Sequence, residues 1–195
     1  MFKILLKISK FLENIVTFFG RLGSWLAIPL ISIIIFDIIT RRFFVLGSTK
    51  LQEMEWHFHT SLFLLVLGYA YLKDAHVRIE IVREKYSLKV KAILETLGIM
   101  VFLIPYTLLV IYFGIDFVQR SFSMNEVSSA LTGLSHRWII KSFIPMGMCL
   151  LFLAGLSLLL KNVTYIVSVF SGNKTYEKKS LTNNPIEKKY ISEKN

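Results

Sequence analysis

Four histidines and a single cysteine are the residues of this chain whose types could support metal or haem chemistry. His57 and His136 fall near the same predicted ends of two different apolar stretches, a placement that two axial ligands of one haem would require. Single histidines at such boundaries are more often hydrogen-bonding residues. Cys149 is the only cysteine and lies inside an apolar stretch, so the chain has no disulfide framework and no cysteine metal site. We therefore predict no catalytic, cofactor-binding or metal-binding residue.

Hydrolytic chemistry has even less support in the sequence. The closest approach to the zinc-protease pattern His-Glu-x-x-His is the run from Glu55 to His59, in which the two histidines are only two residues apart. Histidines at that spacing do not share one face of a helix, so they cannot ligate one ion together. The sequence also contains no glycine-rich nucleotide-binding loop.

The elements that must position these residues are four long apolar stretches, at about residues 22–44, 56–72, 92–117 and 138–160. At about 1.5 Å per residue, most of them cover the roughly 30 Å hydrocarbon core of a membrane. Hydrophobic residues make up 54% of the 195, so four spans leave no room for a soluble catalytic domain. We predict an all-α membrane protein with four transmembrane helices. Pro105 predicts a kink near residues 101–105 of the third span.

The basic residues are divided unequally among the gaps between these stretches. The N-terminus, the middle loop and the C-terminal segment carry 17 of the 23 Lys and Arg residues, and the other two loops carry six. By the positive-inside rule, both termini and the middle loop are predicted to be cytoplasmic. The net charge of +10 is then explained by topology and by contact with anionic membrane lipid. We predict no nucleic-acid partner, because no basic, aromatic-lined soluble domain is present.

Three segments follow from these patterns: an N-terminal helix (1–21), a four-helix transmembrane domain (22–160) and a basic cytoplasmic end with a disordered tail (161–195). In the first segment, lysines and other polar residues recur every three or four positions, which predicts a basic amphipathic helix. It would lie in the cytoplasmic interface or extend the first span. A secretory signal peptide is the alternative, but no small-x-small cleavage site follows an apolar core.

Charged residues near the predicted outer ends of the first two spans are the main candidates for a specific role. Asp37 precedes Arg41 by four residues, the favoured order for an ion pair on one helix. This pair could be structural, contact a partner subunit or belong to an ion pathway. Glu53, His57 and Ser61 share one face of the second span, and we expect that face to pack against protein rather than lipid.

Four linked motifs carry a resemblance to a known family: Asp37-x-x-x-Arg41-Arg42, Glu53-Met54-Glu55-Trp56-His57, Leu72-Lys73-Asp74-Ala75-His76-Val77-Arg78-Ile79-Glu80 and Gly133-Leu134-Ser135-His136-Arg137-Trp138-Ile139-Ile140-Lys141-Ser142. They occur in matching order over about residues 22–160. The chain resembles the small membrane subunit, the DctQ family, of tripartite ATP-independent periplasmic (TRAP) transporters. The candidate structural or partner-contact residues are Asp37, Arg41, Arg42, Glu53, Glu55, Trp56, His57, His76, Arg78, Arg137, Trp138 and Lys141.

The resemblance implies a non-enzymatic, multi-pass subunit of the bacterial inner membrane with both termini cytoplasmic. It implies two partners, a large TRAP permease subunit and a periplasmic substrate-binding protein. It also implies sodium-driven import of an organic acid, with the small subunit as a static scaffold for the moving part of the large one. The alternative is a membrane-anchor subunit of a respiratory oxidoreductase, with haem bound between its helices.

Overall fold

The computed structural model describes residues 2–44, 47–75, 86–130 and 132–171. Its helices are α1 (Phe2–Ser24), α2 (Ala27–Phe43), α3 (Thr49–Leu72), α4 (Leu88–Gly98), α5 (Ile104–Ser123) and α6 (Trp138–Phe170). A π-helical turn, Ile99–Leu103, joins α4 to α5. The described residues contain no strand, which agrees with the predicted all-α class.

Three helical stretches in the described part of the chain are long and apolar enough to cross a membrane: Phe2–Phe43, Leu88–Ser123 and Trp138–Phe170. They contain the predicted third and fourth spans and all but the last residue of the first. The predicted second span lies in α3, which has 24 residues and is about 36 Å long. Charged and histidine side chains in the first half of α3 lower its average hydropathy. The crossing of the membrane by α3 therefore stays a prediction.

Helix α1 packs into the bundle along one face. Ser9, Val16, Gly20 and Gly23 are its buried residues, and they recur at spacings that bring them to one side of a helix. This face contacts α3 and α6. Only the two residues 25 and 26 separate α1 from α2. The N-terminal helix predicted from the sequence is therefore present, and it is an integral part of the helix bundle.

Helices α3 and α6 run parallel and approach each other closely through two glycines. A Cβ atom on Gly68 would lie 2.8 Å from the carbonyl oxygen of Leu150, and one on Gly147 would lie 2.7 Å from the carbonyl oxygen of Leu64. Any larger side chain at either position would push the two backbones apart. Such close contact of small residues is a common basis of helix association in membranes.

The contacts of the remaining helices define an up-and-down bundle. Residues 20 and 23 of α1 meet residues 69 and 65 of α3, so these two helices are antiparallel. Residues 114 and 103 meet residues 145 and 155, so α5 and α6 are antiparallel as well. The starts of α1 and α4 and the ends of α3 and α6 thus share one end of the bundle, which we call the terminal end. The opposite end, with the loop 124–137, is the loop end.

A π-helical turn, Ile99–Leu103, lies where the sequence predicts a kink. Pro105 is the second residue after this turn, within a helical stretch that runs from Leu88 to Ser123, so its missing amide hydrogen removes one helical hydrogen bond there. Helix α6 passes through Pro145 without such a turn and continues to Phe170, ten residues beyond the predicted end of the fourth span. The additional turns of α6 belong to the packed bundle, since Thr164, Tyr165 and Ser168 are buried.

Candidate functional site

Glu53, near the start of α3, is the centre of a polar cluster at the loop end. Its side chain is buried, with the residue only 8% exposed. The carboxylate accepts a hydrogen bond from the Ser128 hydroxyl and a second, 2.5 Å long, from the backbone N–H of Leu134. Hydrogen bonds to an ionised carboxylate are among the stronger ones in proteins. Glu53 therefore fastens the loop 124–137 onto α3, as the prediction that this face packs against protein requires.

The loop itself is tightly folded, and its shape depends on residues that tolerate unusual backbone angles. Asn125 and His136 have φ angles of 47° and 62°, in the left-handed region. The Ser128 N–H donates a 3.1 Å hydrogen bond to the carbonyl of Leu134. A Cβ atom on Gly133 would overlap Ser128 and lie 2.8 Å from the Glu53 carboxylate. Glycine at this position is therefore required for the loop to close over Glu53.

An ion pair also connects the loop to α6. The Lys141 ammonium bonds the Glu126 carboxylate, and it also lies 3.9 Å from the ring centroid of Phe117 in α5. The Lys141 hydrogen bond lowers the pKa of the Glu126 carboxyl below its ordinary value near 4.5. The Arg137 N–H donates a 3.2 Å hydrogen bond to the Glu126 carbonyl. These contacts join α5, the loop and the start of α6.

The structure brings four of the predicted candidates together at the loop end. The loop cluster comprises Glu53, Glu126, Ser128, Leu134, Arg137, Trp138 and Lys141. Trp138 joins it by packing edge-to-face with Phe122, with ring centroids 5.3 Å apart. Glu126, Ser128 and Leu134 were not among the sequence candidates. Nothing local in the sequence indicates that Ser128 and Leu134 meet a residue 75 and 81 positions earlier.

The candidate Trp56 of α3 lies away from this cluster, and His57 and His136 have local hydrogen-bond partners. Trp56 is 68% exposed, as expected for an aromatic residue at a membrane boundary. His57 Nδ1 lies 2.5 Å from the Glu53 carbonyl one turn back, and His136 Nδ1 lies 2.9 Å from the Ser135 hydroxyl. Both rings therefore have hydrogen-bond partners. Within the described ranges, no group of three or more His, Cys, Asp or Glu residues could hold a metal ion.

The predicted pair of Asp37 and Arg41 is confirmed. The Arg41 guanidinium donates to Asp37 Oδ2, and the Asp37 side chain is 4% exposed against 52% for Arg41. Asp37 is the only buried residue of α2, and its second oxygen, Oδ1, is buried without a hydrogen-bond partner. Arg42 is exposed and forms no ion pair with any residue that the structure describes. His76 and Arg78 lie outside the described residues.

A second buried polar group, at the terminal end, was not predicted. Lys161 in α6 is 2% exposed, and its ammonium donates a 2.8 Å hydrogen bond to the Glu13 carboxylate in α1. One turn before each of these residues, the hydroxyls of Ser9 and Ser157 lie 3.0 Å apart and bond each other's backbone carbonyls. The Asn162 amide also donates a 3.4 Å hydrogen bond to the Glu95 carboxylate. We call Ser9, Glu13, Ser157, Lys161, Asn162 and Glu95 the terminal cluster.

The terminal cluster corrects one assumption of the charge count. Lys161 was counted with the basic C-terminal segment, but it is a buried partner of α1. The pairing is possible because side chains of α-helices lean toward the N-terminus. In antiparallel helices, Glu13 therefore leans toward Ser9 and Lys161 toward Ser157, and the two charges converge at the serine contact. The sequence signal was the single acidic residue in an otherwise basic helix.

Comparison with known proteins identifies a family for this chain. The family model described as tripartite ATP-independent periplasmic transporters, DctQ component, matches residues 30–164. A search of curated proteins finds no match. The matched region covers α3 to α5, most of α2 and α6 as far as Thr164, and it therefore includes the loop cluster and the Asp37–Arg41 pair. Because more than half of the chain is matched, the chain belongs to the DctQ family, the small permease subunits of TRAP transporters.

Proposed function

We propose that this chain is a static scaffold subunit in the bacterial inner membrane. A large TRAP permease subunit would move the substrate, and a periplasmic binding protein would deliver it. The imported substrate would be an organic acid, and a sodium gradient would drive the import. These details rest on membership of a transporter family whose components are not enzymes. The family assignment gives no support to a respiratory membrane anchor.

The single observation that carries the scaffold role is where the buried charges lie and what they bond. Lys161 at the terminal end and Glu53 at the loop end are held by partners within the same chain, and the buried Asp37 is paired with Arg41 of its own helix. Between these ends, α3 and α6 are joined by close glycine contacts. A transporter that moved substrate itself would need polar groups for ions or substrate near the bilayer midplane. The described bundle instead has the features of a rigid body.

For topology, we propose four spans with both chain ends cytoplasmic. The up-and-down contacts bring the start of α1 and the end of α6 to the same end of the bundle. Helix α3 is included as a span because its apolar half packs along α6 and because it runs from the loop end to the terminal end. The loop cluster would then face the periplasm, where the binding protein docks.

Contact with the large subunit would involve residues that the bundle leaves exposed. Only Asp37 is buried among the 17 residues of α2, so most of its apolar surface is free for lipid or protein. We propose that Arg42 and the exposed Trp56 contact the partner near the outer interface. Glu55, which is half-buried and precedes Trp56 in α3, would lie beside this contact. The buried Asp37, with Arg41, would set the position of α2 against α3.

An intrachain disulfide tests whether the scaffold stays fixed during transport. The Ser9 and Ser157 hydroxyl oxygens are only 3.0 Å apart, so cysteines at both positions should form a disulfide between α1 and α6. The background is Cys149→Ser, which removes the only natural cysteine. If the bundle does not rearrange, oxidation should change sodium-dependent uptake by the assembled transporter less than about twofold.

The control is the same double variant kept reduced, together with each single cysteine variant. Loss of uptake on oxidation, restored by a reductant, would show that α1 and α6 must separate during transport. That result would exclude a static role for this subunit.

A further inference from the structure

The exposed face of α1 carries positive charge without matching negative charge. Lys3, Lys7, Lys10, Asn14 and Arg21 are all exposed on it. The only acidic residue of α1, Glu13, is turned toward Lys161 in the bundle instead. The exposed face therefore has four cationic side chains and no anionic one. A surface of this kind attracts anions, and the attraction is strongest where the side chains leave water.

Arg21 occupies an unusual depth for a charged residue. Its neighbour Gly20 packs against Tyr69, only three residues before the end of α3, so Arg21 lies about one helical turn inside the terminal end of that helix. Arg21 forms no ion pair with any residue in the described part of the chain. Its side chain leans back along α1 toward the terminal end, where a lipid headgroup would be.

A groove surrounds Arg21 and has both polar and apolar walls. It has a volume of about 470 Å³ and is lined by Asn14, Thr17, Phe18, Arg21, Leu22 and Trp25. Asn14 and Thr17 lie toward the start of α1 and supply an amide and a hydroxyl, and Arg21 supplies a guanidinium one turn further on. Phe18 lies between Thr17 and Arg21, and Leu22 and Trp25 lie toward α2. The hydrogen-bond donors and the apolar wall beyond Arg21 match the headgroup and the acyl chains of a phospholipid.

We propose that this groove binds one anionic phospholipid of the cytoplasmic leaflet. The Arg21 guanidinium bonds the phosphate, with Asn14 and Thr17 as further donors, because a planar guanidinium matches phosphate geometry. Phe18 packs beside the headgroup, and the acyl chains lie along Leu22 and Trp25. Lys10 and the two lysines before it add longer-range attraction. The proposal rests on the topology proposed above, in which the terminal end is cytoplasmic.

Trp25 provides a direct probe of the bound lipid. The other two tryptophans, Trp56 and Trp138, are replaced by Phe, and the chain is reconstituted in vesicles that contain brominated lipid, which quenches nearby tryptophan. Brominated phosphatidylglycerol should quench Trp25 at about a fivefold lower mole fraction than brominated phosphatidylcholine, as expected for one charged contact. Arg21→Gln should abolish this preference.

Arg42→Gln is the matched control, because Arg42 is also exposed and unpaired among the described residues but lies at the loop end. It should leave the preference unchanged. Equal quenching by both lipids, or a preference that survives Arg21→Gln, would overturn the proposal. So would loss of quenching by both lipids in the assembled complex, because it would mean that a partner protein covers the groove.

Native mass spectrometry of the chain with all three tryptophans gives a second measurement that needs no tryptophan replacement. One phosphatidylglycerol should remain bound after detergent washing of the natural sequence and be lost in Arg21→Gln. Failure here would leave uptake by the complex intact, so it is distinguishable from failure of the scaffold role. If the assembled transporter showed no uptake although the lipid stays bound to this chain, the proposed function would be challenged and the lipid site would not.

Discussion

Removal of Arg41 should destabilise the protein more than removal of Asp37. From the sequence alone, an arginine left without its partner should cost more than the removal of both residues. The structure shows which single removal costs more, because Asp37 is the buried member of the pair and Arg41 is half exposed. In Arg41→Ala, the Asp37 carboxylate stays buried with Oδ1 already lacking a hydrogen bond. In Asp37→Asn, Arg41 can extend to the aqueous interface instead.

The magnitudes follow from burial. Breaking a fully buried pair costs about 3–5 kcal/mol, and an exposed pair is worth about 0–1 kcal/mol. With one partner buried and the other half exposed, we expect Arg41→Ala to cost about 2 kcal/mol. Asp37→Asn keeps the shape of the side chain and should cost about 1 kcal/mol or less. The double variant should cost less than Arg41→Ala alone, because no uncompensated charge remains.

The assay is thermal unfolding of the purified subunit in detergent for the two single variants and the double variant. Arg42→Ala is the matched control, since Arg42 is adjacent and exposed and forms no ion pair among the described residues. It should melt as the unmodified chain does. Additive losses in the double variant would refute the pairing. A double variant that assembles normally but supports no uptake would instead assign Asp37 a direct role in transport.

Three other predictions concern the two polar clusters. Glu53→Gln should release the loop 124–137 and speed its proteolysis. Glu55→Gln, which lies outside the loop cluster, should not. Equal effects of the two variants would show that the loop is held by other contacts. Because the pKa of Glu126 is lowered in the folded state, its ion pair with Lys141 contributes its full stabilisation above pH 4.5, and this stabilisation is lost as the pH falls through the lowered pKa. The melting temperature should fall in that acidic range in the unmodified chain but not in Glu126→Gln. At the terminal end, Glu13→Gln should lower the free energy of unfolding by about 1–3 kcal/mol, because it leaves a buried ammonium with one carboxylate fewer. This loss should be larger than that caused by Lys161→Met. The reverse order in thermal melts would contradict the buried pairing.

The parts of the structure that depend on local sequence were predictable. Apolar stretches gave the helices, and a spacing of four residues gave the Asp37–Arg41 pair, because both patterns act within a few turns. Proline predicted a kink near Pro105, and a π-helical turn lies at that position. Glu53 could also be recognised as a residue that must face protein, since a charge near lipid needs a partner.

The parts that depend on distant contacts were not predictable from one sequence. The partners of Glu53 lie 75 and 81 residues away, and Glu13 and Lys161 are 148 residues apart. Lys161 follows an apolar stretch. A lysine at that position is compatible with an exposed cytoplasmic flank and equally with a buried ion. Only the packing of α1 against α6 distinguishes the two, because that packing places an acid beside the lysine.

The most direct test of the scaffold role is sodium-dependent uptake in proteoliposomes of defined composition. The vesicles would contain this chain alone, the large permease subunit alone, or both, each with the periplasmic binding protein added outside. We expect uptake only when both membrane subunits are present, and none with this chain alone, because its buried charges serve to hold its own helices together. Sodium-dependent uptake by this chain without the large subunit would contradict the account.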